Sequence, residues 1–216
     1  KIFYKLIKEI IGSNGSIFAP TYSYSFSSPK LSQQNIFDVE KTPSKVGPFG
    51  EYIRNKSKSL RSIDPMISIT GIGKDAYLLK QQKLTSYGNG CIFEKLLTIK
   101  KLKILNIGVG GNYIPFIHYV DHLNKCKHRY DKYFNGYIIK NNKKIRVQWH
   151  YPVPYMNKNA VSDGHKIAKK AINVIIKSDK LGDGKIYISN YRKLFDFSLK
   201  MSKKNTWVTA VGPKFK

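Results

Sequence analysis

The chain has 216 residues, of which 41% are hydrophobic and 13% aromatic, and its 39 Lys and Arg against 13 Asp and Glu give a formal net charge of +26. This apolar content excludes a disordered chain, and no apolar run approaches the ~20 residues that cross a bilayer. A surface this basic attracts polyanions, either nucleic acid or phosphate-bearing cofactors and substrates, and charge alone does not choose between them.

The first residue is Lys1 rather than Met, and no signal peptide is recognisable, so we expect the natural start to be missing. Cys91 and Cys126 have neither the spacing of a metal site nor that of a disulfide framework. We therefore expect reduced thiols in a cytoplasmic protein.

The first half of the chain alternates helical and strand-like patterns. In chain order the pattern predicts a helix over residues 1–12, a strand at 16–20, a long polar and aromatic loop over 21–43, a helix at 46–55, a strand at 66–70, and helices at 74–82 and 91–99.

The second half predicts a buried strand over 103–109, a helix over 114–123, a β-hairpin from 137 to 150, an amphipathic helix over 160–177, a strand at 186–189 and a last helix over 191–203. The hairpin turn is assigned to Asn141-Asn142, because Asn tolerates the positive φ that such turns need. Alternating strands and helices with an inserted antiparallel hairpin predict an α/β fold, with a mixed β-sheet flanked by helices in a single domain, 1–216.

The most informative segment is a glycine-rich turn between the predicted strand and helix at 103–123. The turn contains Gly108, Val109, Gly110 and Gly111, and the helix that follows carries His118 and Asp121. Residues three apart share one helix face, and a histidine oriented by a carboxylate is the usual base near pH 7. Glycines upstream let backbone N–H groups approach a ligand closely. The pattern predicts an enzyme site.

Three other kinds of site have signatures that can be compared with this sequence. A dinucleotide fingerprint would need Gly at the position of Tyr113, and the phosphate-binding loop of nucleotide hydrolases is absent, so neither cofactor site is predicted. His118, Asp121 and His122 form H-x-x-D-H, which resembles a zinc signature with Asp in place of Glu. A zinc hydrolase therefore remains an alternative, although we assign no metal.

Polar and basic clusters elsewhere allow two interpretations each. Arg61 and Asp64 before Pro65 indicate either a turn in which the two side chains pair or charged groups at the rim of a site. The basic segments 125–129 and 140–146 are either solvated faces or a nucleic-acid surface. The aromatic residues near them favour cross-strand packing over stacking platforms for bases: Tyr130, Tyr133, Phe134 and Trp149.

Five segments, in order, resemble the motifs of the aminoglycoside 3-N-acetyltransferase family, also called the antibiotic N-acetyltransferase superfamily. These segments are Gly15–Phe26, Val46–Arg54, Arg61–Ala76, Gly88–Leu96 and Ile107–Asp121. Beyond residue 130 the match is loose. The chain departs from the family pattern in having Asp64 for a His, Pro115 for a Thr and Asp121 for a Glu. Nothing like the family's first strand and donor-binding turn precedes Lys1, so we expect a truncated chain or the loss of part of the donor site.

The resemblance implies the fold of this family, acetyl-CoA as the acyl donor and an amino sugar as the acceptor. It implies direct transfer, with His118 as general base and Asp121 holding its ring. It also implies donor contacts from Ser62 and the turn at Gly108–Gly111, and acceptor contacts from four residues of the first motifs: Tyr22, Tyr24, Arg61 and Asp64.

The acceptor class is inferred from charge. Aminoglycosides are polycations, and acidic residues such as Glu40 and Glu51 are too few to predict a pocket that overcomes a net charge of +26. A nucleotide-linked amino sugar is an anion and would be attracted. We therefore favour an amino-sugar N-acetyltransferase of a surface-polysaccharide pathway such as lipopolysaccharide biosynthesis. An aminoglycoside-resistance enzyme and a non-enzymatic nucleic-acid-binding domain are the alternatives, and a homo-oligomer is left open.

Overall fold

The computed structural model describes residues 1–27, 34–155, 161–212 and 214. The chain divides into two compact units, the first formed by 1–95 and 133–151 and the second by 96–132 and 152–216. The single domain expected from the sequence stays a prediction. No helix among the described residues is both long and apolar enough to span a bilayer.

The first unit begins with helix α1 and contains a three-stranded antiparallel sheet in the order β1-β4-β3. Its elements in chain order are α1 Ile2–Ile11, β1 Ile17–Pro20, β2 Ile36–Asp38, α2 Pro48–Arg54, β3 Leu60–Arg61, β4 Ile69–Ile72, a 3₁₀ helix Lys74–Gln81 and α3 Ile92–Leu96. A core cluster of Ile17, Ala19 and Ile53 joins the sheet to α2, and Tyr4 and Ile7 of α1 pack against it. The helix predicted at residues 1–12 is confirmed. The contact of its apolar face with this cluster stabilises it.

The predicted hairpin is confirmed and is longer than its sequence signal. Strands β6 Arg129–Lys140 and β7 Lys143–Pro154 are joined through Asn141 and Asn142, whose φ values of 49° and 60° are left-handed. Strand β2 pairs in parallel with β6, Ile36 opposite Tyr137. This strand lies in the segment predicted as a loop, so that prediction was wrong at 36–38; residues 28–33 of the loop lie outside the described residues.

The second unit contains a three-stranded antiparallel sheet in the order β5-β10-β9 and a two-stranded sheet of β11 and β8. Its elements are β5 Lys103–Ile107, α4 Ile117–Leu123, β8 Val161–Ser162, α5 His165–Ala171, β9 Ile176–Leu181, β10 Gly184–Asn190, α6 Tyr191–Lys204 and β11 Ala210–Val211. Strand β5 was predicted to be buried, but Leu105 is 39% exposed because β5 is an edge strand of its sheet. The α/β fold class is confirmed, with small sheets in place of one large mixed sheet.

The amphipathic helix predicted over 160–177 is wrong for most of its length. Helix α5 ends at Ala171, Asn173 has a left-handed φ of 64°, and Val174 is 75% exposed rather than part of a buried stripe. Strand β9 begins at Ile176 and pairs with β10. Pairing of β9 with the strand that follows it in the chain has overridden the helical pattern at the end of this segment.

Candidate active site

Helix α4 is held in place by aromatic packing within the second unit. The ring of Phe116 lies edge-on to Tyr191 of α6 at 5.0 Å and to Phe195 at 5.4 Å, and Tyr119 stacks on Phe195 at 5.8 Å. These contacts bury one side of a seven-residue helix that is too short to be stable alone. The packing therefore fixes the orientation of the polar residues on α4.

His118 and Asp121 make the contact that their spacing on one helix face predicts. The imidazole Nδ1 lies 3.2 Å from Asp121 Oδ2, and the exposed fractions of the two side chains are 22% and 0%. A partly accessible imidazole is thus joined to a fully buried carboxylate. This is the arrangement in which a carboxylate fixes the ring of a base.

Asp121 has two further partners that the sequence did not indicate. Thr209 donates its hydroxyl hydrogen to Oδ1, and Nε2 of the fully buried His128 lies 3.5 Å from Oδ2. Burial acts to raise the pKa of Asp121, but the contacts with His118, His128 and Thr209 outweigh it and hold that pKa well below the ordinary value. Asp121 is therefore ionised at neutral pH.

Arg129 adds a fixed positive charge beside the imidazole. Its Nη1 lies 3.2 Å from His118 Nδ1 and donates to Ser162 Oγ at 2.6 Å, while Nε and Nη2 donate to the carbonyl of Pro152 at 3.2 and 2.7 Å. Burial and Arg129 lower the pKa of His118, and Asp121 opposes them only in part. The imidazole is therefore neutral at pH 7 and in the form that accepts a proton.

The tautomer of His118 depends on its two polar neighbours. An ionised carboxylate only accepts hydrogen bonds, so the contact with Asp121 needs a hydrogen on Nδ1. A guanidinium only donates, so the contact of Arg129 Nη1 with the same atom needs the other tautomer. In the tautomer that satisfies Asp121, the lone pair of the neutral ring lies on Nε2, the nitrogen opposite the carboxylate. This is the tautomer that a general base requires.

Sequence reasoning missed His128, Arg129 and Thr209. They come from outside α4, and Thr209 is 88 residues from its carboxylate partner. The only signal was the basic run at 125–129, which was interpreted as either a solvated face or a nucleic-acid surface. Neither interpretation holds for His128, whose side chain is fully buried with its ring edge-on to Trp207 at 5.4 Å.

The glycine-rich turn is shaped for close backbone approach. Gly108 has a left-handed φ of 69°, and a Cβ added at Gly111 would lie 3.1 Å from the ring of Tyr187. The carbonyl of Gly110 accepts from the Asn106 side chain at 3.0 Å. Among the described residues, the N–H groups of Val109, Gly110 and Gly111 donate to no carbonyl outside the strand ladders. The predicted role of the turn, as a set of donors for carbonyl groups of a bound acyl donor, stays a prediction.

A cavity of about 700 Å³ adjoins this cluster within the second unit. Asp121 and Arg129 form part of its wall, and the segment that follows α4 forms another part through Lys125, Lys127 and Tyr130. Tyr155 completes the aromatic side, with its ring 4.6 Å from that of Tyr130. The cavity thus lies beside the carboxylate that holds His118.

In the first unit, Asp64 is fully buried and serves as an acceptor for its own neighbourhood. It accepts from the backbone N–H groups of Met66 and Ile67 at 2.8 and 2.9 Å, from Ser86 Oγ at 3.0 Å and from Gln82 Nε2 at 3.0 Å. Burial raises the pKa of Asp64 above its ordinary value despite these donors. The carboxyl group organises the turn predicted around Pro65.

Of the two interpretations of Arg61 and Asp64, the one in which their side chains pair was wrong. Arg61 is 8% exposed and donates instead to Ser68 Oγ at 3.0 Å, to the Thr21 carbonyl at 2.7 Å and to the Thr42 carbonyl. Burial lowers the pKa of this guanidinium to about 10. Both charged groups therefore serve the interior of the first unit in this structure.

Three other site residues predicted in the first unit differ from one another in burial and in contacts. Ser62 is fully buried, and its hydroxyl accepts from the Ile69 N–H at 3.0 Å. Tyr22 and Tyr24 contact each other edge to face at 6.1 Å, and Tyr24 is 38% exposed with a left-handed φ of 51°. Burial, followed by the charges of Tyr24, Tyr151 and Asp64, raises the pKa of Tyr22. Ligand contacts by Ser62, Tyr22, Tyr24, Arg61 and Asp64 stay predictions.

The burial of the two cysteines decides whether their thiols can act as nucleophiles. Cys91 and Cys126 are buried, and burial raises the pKa of each thiol to about 12. Neither thiol is therefore suited to form an acyl intermediate.

His122 Nδ1 lies 3.8 Å from Asp131 Oδ1, whereas His118 contacts Asp121. The two histidines of H-x-x-D-H thus have different carboxylate neighbours.

Comparisons with known proteins give one family and one fold. A family model described as aminoglycoside 3-N-acetyltransferase matches residues 1–203. Among solved structures, AAC-VIa with sisomicin bound is 18% identical, with a TM-score of 0.78 over 94% of this chain and 84% of its own. Aminoglycoside acetyltransferase AAC(3)-Xa is 13% identical, with a TM-score of 0.77 over 93% and 79%.

The binary complex of AAC-IIIb with CoASH is 15% identical, with a TM-score of 0.76 over 99% of this chain and 85% of its own. At these identities the solved structures show the fold alone. No curated protein matches the chain.

Proposed function

Because the chain belongs to the aminoglycoside 3-N-acetyltransferase family, we propose that it transfers an acetyl group to the amino group of an amino sugar with His118 as general base. The family consists of acetyltransferases that use acetyl-CoA as donor, and CoASH is bound in one structural relative. The observation that carries the proposal is the 3.2 Å contact between His118 Nδ1 and a buried, ionised Asp121.

His118 removes the proton that the acceptor nitrogen must lose. An amine is largely protonated near pH 7, so it needs a base before or during its attack on a thioester. His118 accepts the proton on Nε2, because Nδ1 is committed to Asp121. The imidazolium that forms is stabilised by the same carboxylate. This step is worth about 10²- to 10⁴-fold in rate for a well-positioned base.

The glycine-rich turn is assigned to the donor. When bound, acetyl-CoA supplies an activated thioester carbonyl. Backbone N–H groups of Gly108, Val109, Gly110 and Gly111 suit either the negative charge that develops on an acyl oxygen or the amide carbonyls of a pantetheine arm. Transfer is direct in this proposal, because the buried thiols of Cys91 and Cys126 are not activated as nucleophiles.

For the acceptor, we favour a nucleotide-linked amino sugar of a surface-polysaccharide pathway. The support is electrostatic, since a chain of net charge +26 attracts an anionic acceptor and repels a polycation. An aminoglycoside is the second candidate. It is supported by the description of the matching family and by the relative that has sisomicin bound.

The deciding experiment is thiol release from acetyl-CoA with the full-length protein and a panel of nucleotide-linked amino sugars, free amino sugars and aminoglycosides. We expect His118→Ala to abolish transfer to whichever acceptor is used while acetyl-CoA still binds. Full activity of His118→Ala would reject the base assignment. Sisomicin as the preferred acceptor would replace the nucleotide-linked sugar and leave the base assignment intact.

The proposal has two further parts, the location of the protein and the ligands of its basic surface. We place the protein in the cytoplasm, because two buried thiols without a disulfide suit a reducing compartment. We also propose that the basic surface serves small phosphate-bearing ligands rather than nucleic acid. A salt-sensitive shift of RNA or DNA at low salt, with no acetyl transfer to any amine, would reverse this choice.

A further inference from the structure

The cavity beside Asp121 has an unusual balance of charge. Its wall carries three permanent cations, Lys125, Lys127 and Arg129, and two carboxylates, Asp121 and Asp131. Asp121 is 1% exposed and already contacts His118, His128 and Thr209, so its charge is directed into the protein. Among the described residues of the wall, the other carboxylate belongs to Asp131, whose side chain is 56% exposed.

The two lysines differ from the arginine in the hydrogen bonds that they form. Arg129 donates to Pro152 and Ser162 and is fixed in place. Lys125 and Lys127 are exposed, and among the described residues neither ammonium group forms a hydrogen bond or ion pair. Two such ammonium groups on the wall of one cavity, separated in sequence by a single residue, suit a ligand with closely spaced negative charges. A polycation would meet them as like charges.

The aromatic side of the cavity points to the same ligand class. The rings of Tyr130 and Tyr155 lie 4.6 Å apart with an interplanar angle of 39°, and Tyr130 is 40% exposed. Tyrosine rings beside cations are a recurrent surface for the flat face of a base or sugar next to a phosphate. The volume of about 700 Å³ is in the range of sites that hold a ligand of this size.

We infer that this cavity binds the phosphate groups of the acceptor, with Lys125 and Lys127 as their ligands and Tyr130 and Tyr155 beside the attached base or sugar. The inference rests on the proposed function, because it places the acceptor's anionic end next to the carboxylate that holds His118. It makes a nucleoside diphosphate-linked amino sugar the substrate class. The 3′-phosphate and diphosphate of CoA share this chemistry, so the test must separate the two sources.

The test measures equilibrium binding of UDP, as the nucleoside diphosphate probe, to the full chain. The variant is Lys125→Gly with Lys127→Gln. Glycine is chosen because Lys125 has a left-handed φ of 49°, so this change removes a charge without straining the backbone. The matched control is Lys177→Gln with Lys180→Gln, which removes the same charge from two exposed lysines of β9 in the same unit.

We expect UDP to bind the wild type and the control equally, and the cavity variant about 10- to 100-fold more weakly, as for the loss of charge-assisted hydrogen bonds. Binding should weaken with added salt, and saturating CoA should not displace UDP. Equal binding to all three proteins, or no binding to any, would overturn the inference.

A second arm distinguishes the acceptor from the donor. CoA and 3′-dephospho-CoA should bind the cavity variant as tightly as they bind the wild type. Displacement of UDP by CoA, together with weaker CoA binding by the variant, would assign the phosphates to the donor and overturn the inference. Because UDP binding needs no turnover, these outcomes are independent of whether His118→Ala abolishes transfer.

Discussion

Two buried aspartates, one in each unit, have opposite protonation behaviour. Asp64 accepts from two backbone N–H groups, a serine and a glutamine, yet burial raises its pKa. Asp121 is as deeply buried, but contacts with His118, His128 and Thr209 hold its pKa below the ordinary value. The number of donors therefore does not set the charge of a buried carboxyl group. The imidazoles of His118 and His128 at Asp121 make the difference.

The comparison assigns different tasks to the two residues. Asp64 fixes a turn and gains little from being ionised. Asp121 is kept ionised, so it can orient an imidazole and stabilise its charged form. Each of the following changes acts on one of these two environments.

The largest effect is expected for Asp121→Asn. The amide would no longer require the Nδ1–H tautomer of His118, and kcat should fall about 10²- to 10⁴-fold, the usual worth of a general base. Asp64→Asn should leave kcat within a few-fold of the wild type. The new side-chain oxygen can still accept from Met66, Ile67 and Ser86. Equal losses in steady-state assays would show that both carboxyl groups serve the chemistry.

The same two variants should have opposite pH dependences of stability. Asp121 has a depressed folded pKa, so its contribution is present above its ordinary value of 3.8 and is lost as pH falls. Asp121→Asn should therefore be less stable at pH 7, by about 1.5–3 kcal/mol for lost charged hydrogen bonds, and the deficit should shrink in acid.

Asp64 has a raised folded pKa, so its contribution is present below 3.8 and is lost as pH rises through the folded value. Relative to the wild type, Asp64→Asn should gain stability as the pH rises. Urea unfolding at several pH values from about 2 to 7 measures both differences, because the Asp121 contribution changes only below 3.8. Parallel profiles for the two variants would contradict the contrast between the sites.

A smaller effect is expected at His128. His128→Phe keeps an aromatic ring beside Trp207 but removes the nitrogen that lies 3.5 Å from Asp121. We expect kcat to fall about 2- to 10-fold, the effect of losing about 0.5–1.5 kcal/mol of support for Asp121. His128→Gln, which retains an N–H donor, should recover part of the loss. A rate unchanged by His128→Phe would confine the support of Asp121 to His118 and Thr209.

The smallest effect concerns Arg129 and appears mainly in the pH profile. Arg129 lowers the pKa of His118, so Arg129→Gln should raise that pKa and move the acidic limb of kcat/KM to higher pH. Arg129→Lys retains the charge and should move the limb less. The measurement is kcat/KM between pH 5 and 8 for the three proteins. A limb at the same pH in Arg129→Gln would show that burial alone sets the protonation of His118.

Local signals predicted the elements whose conformation is decided locally. The hairpin was predicted because Asn141 and Asn142 accept left-handed φ values, and α1 because its apolar residues have helical spacing. The segment 160–177 failed because pairing of β9 with β10 decided it. In the site, the i, i+3 spacing predicted the contact of His118 with Asp121. Arg129, His128 and Thr209 were not predictable, because tertiary folding brings them from other elements.

The deep burial of both thiols has a practical consequence for enzymology. With each pKa raised to about 12, Cys91 and Cys126 hold almost no thiolate at neutral pH. A chromogenic disulfide that reacts with thiols should therefore detect the CoA that the reaction releases, with little background from the folded protein. The same reagent would titrate two sulfhydryls per chain once the fold is lost, so one chromophore can follow both turnover and denaturation.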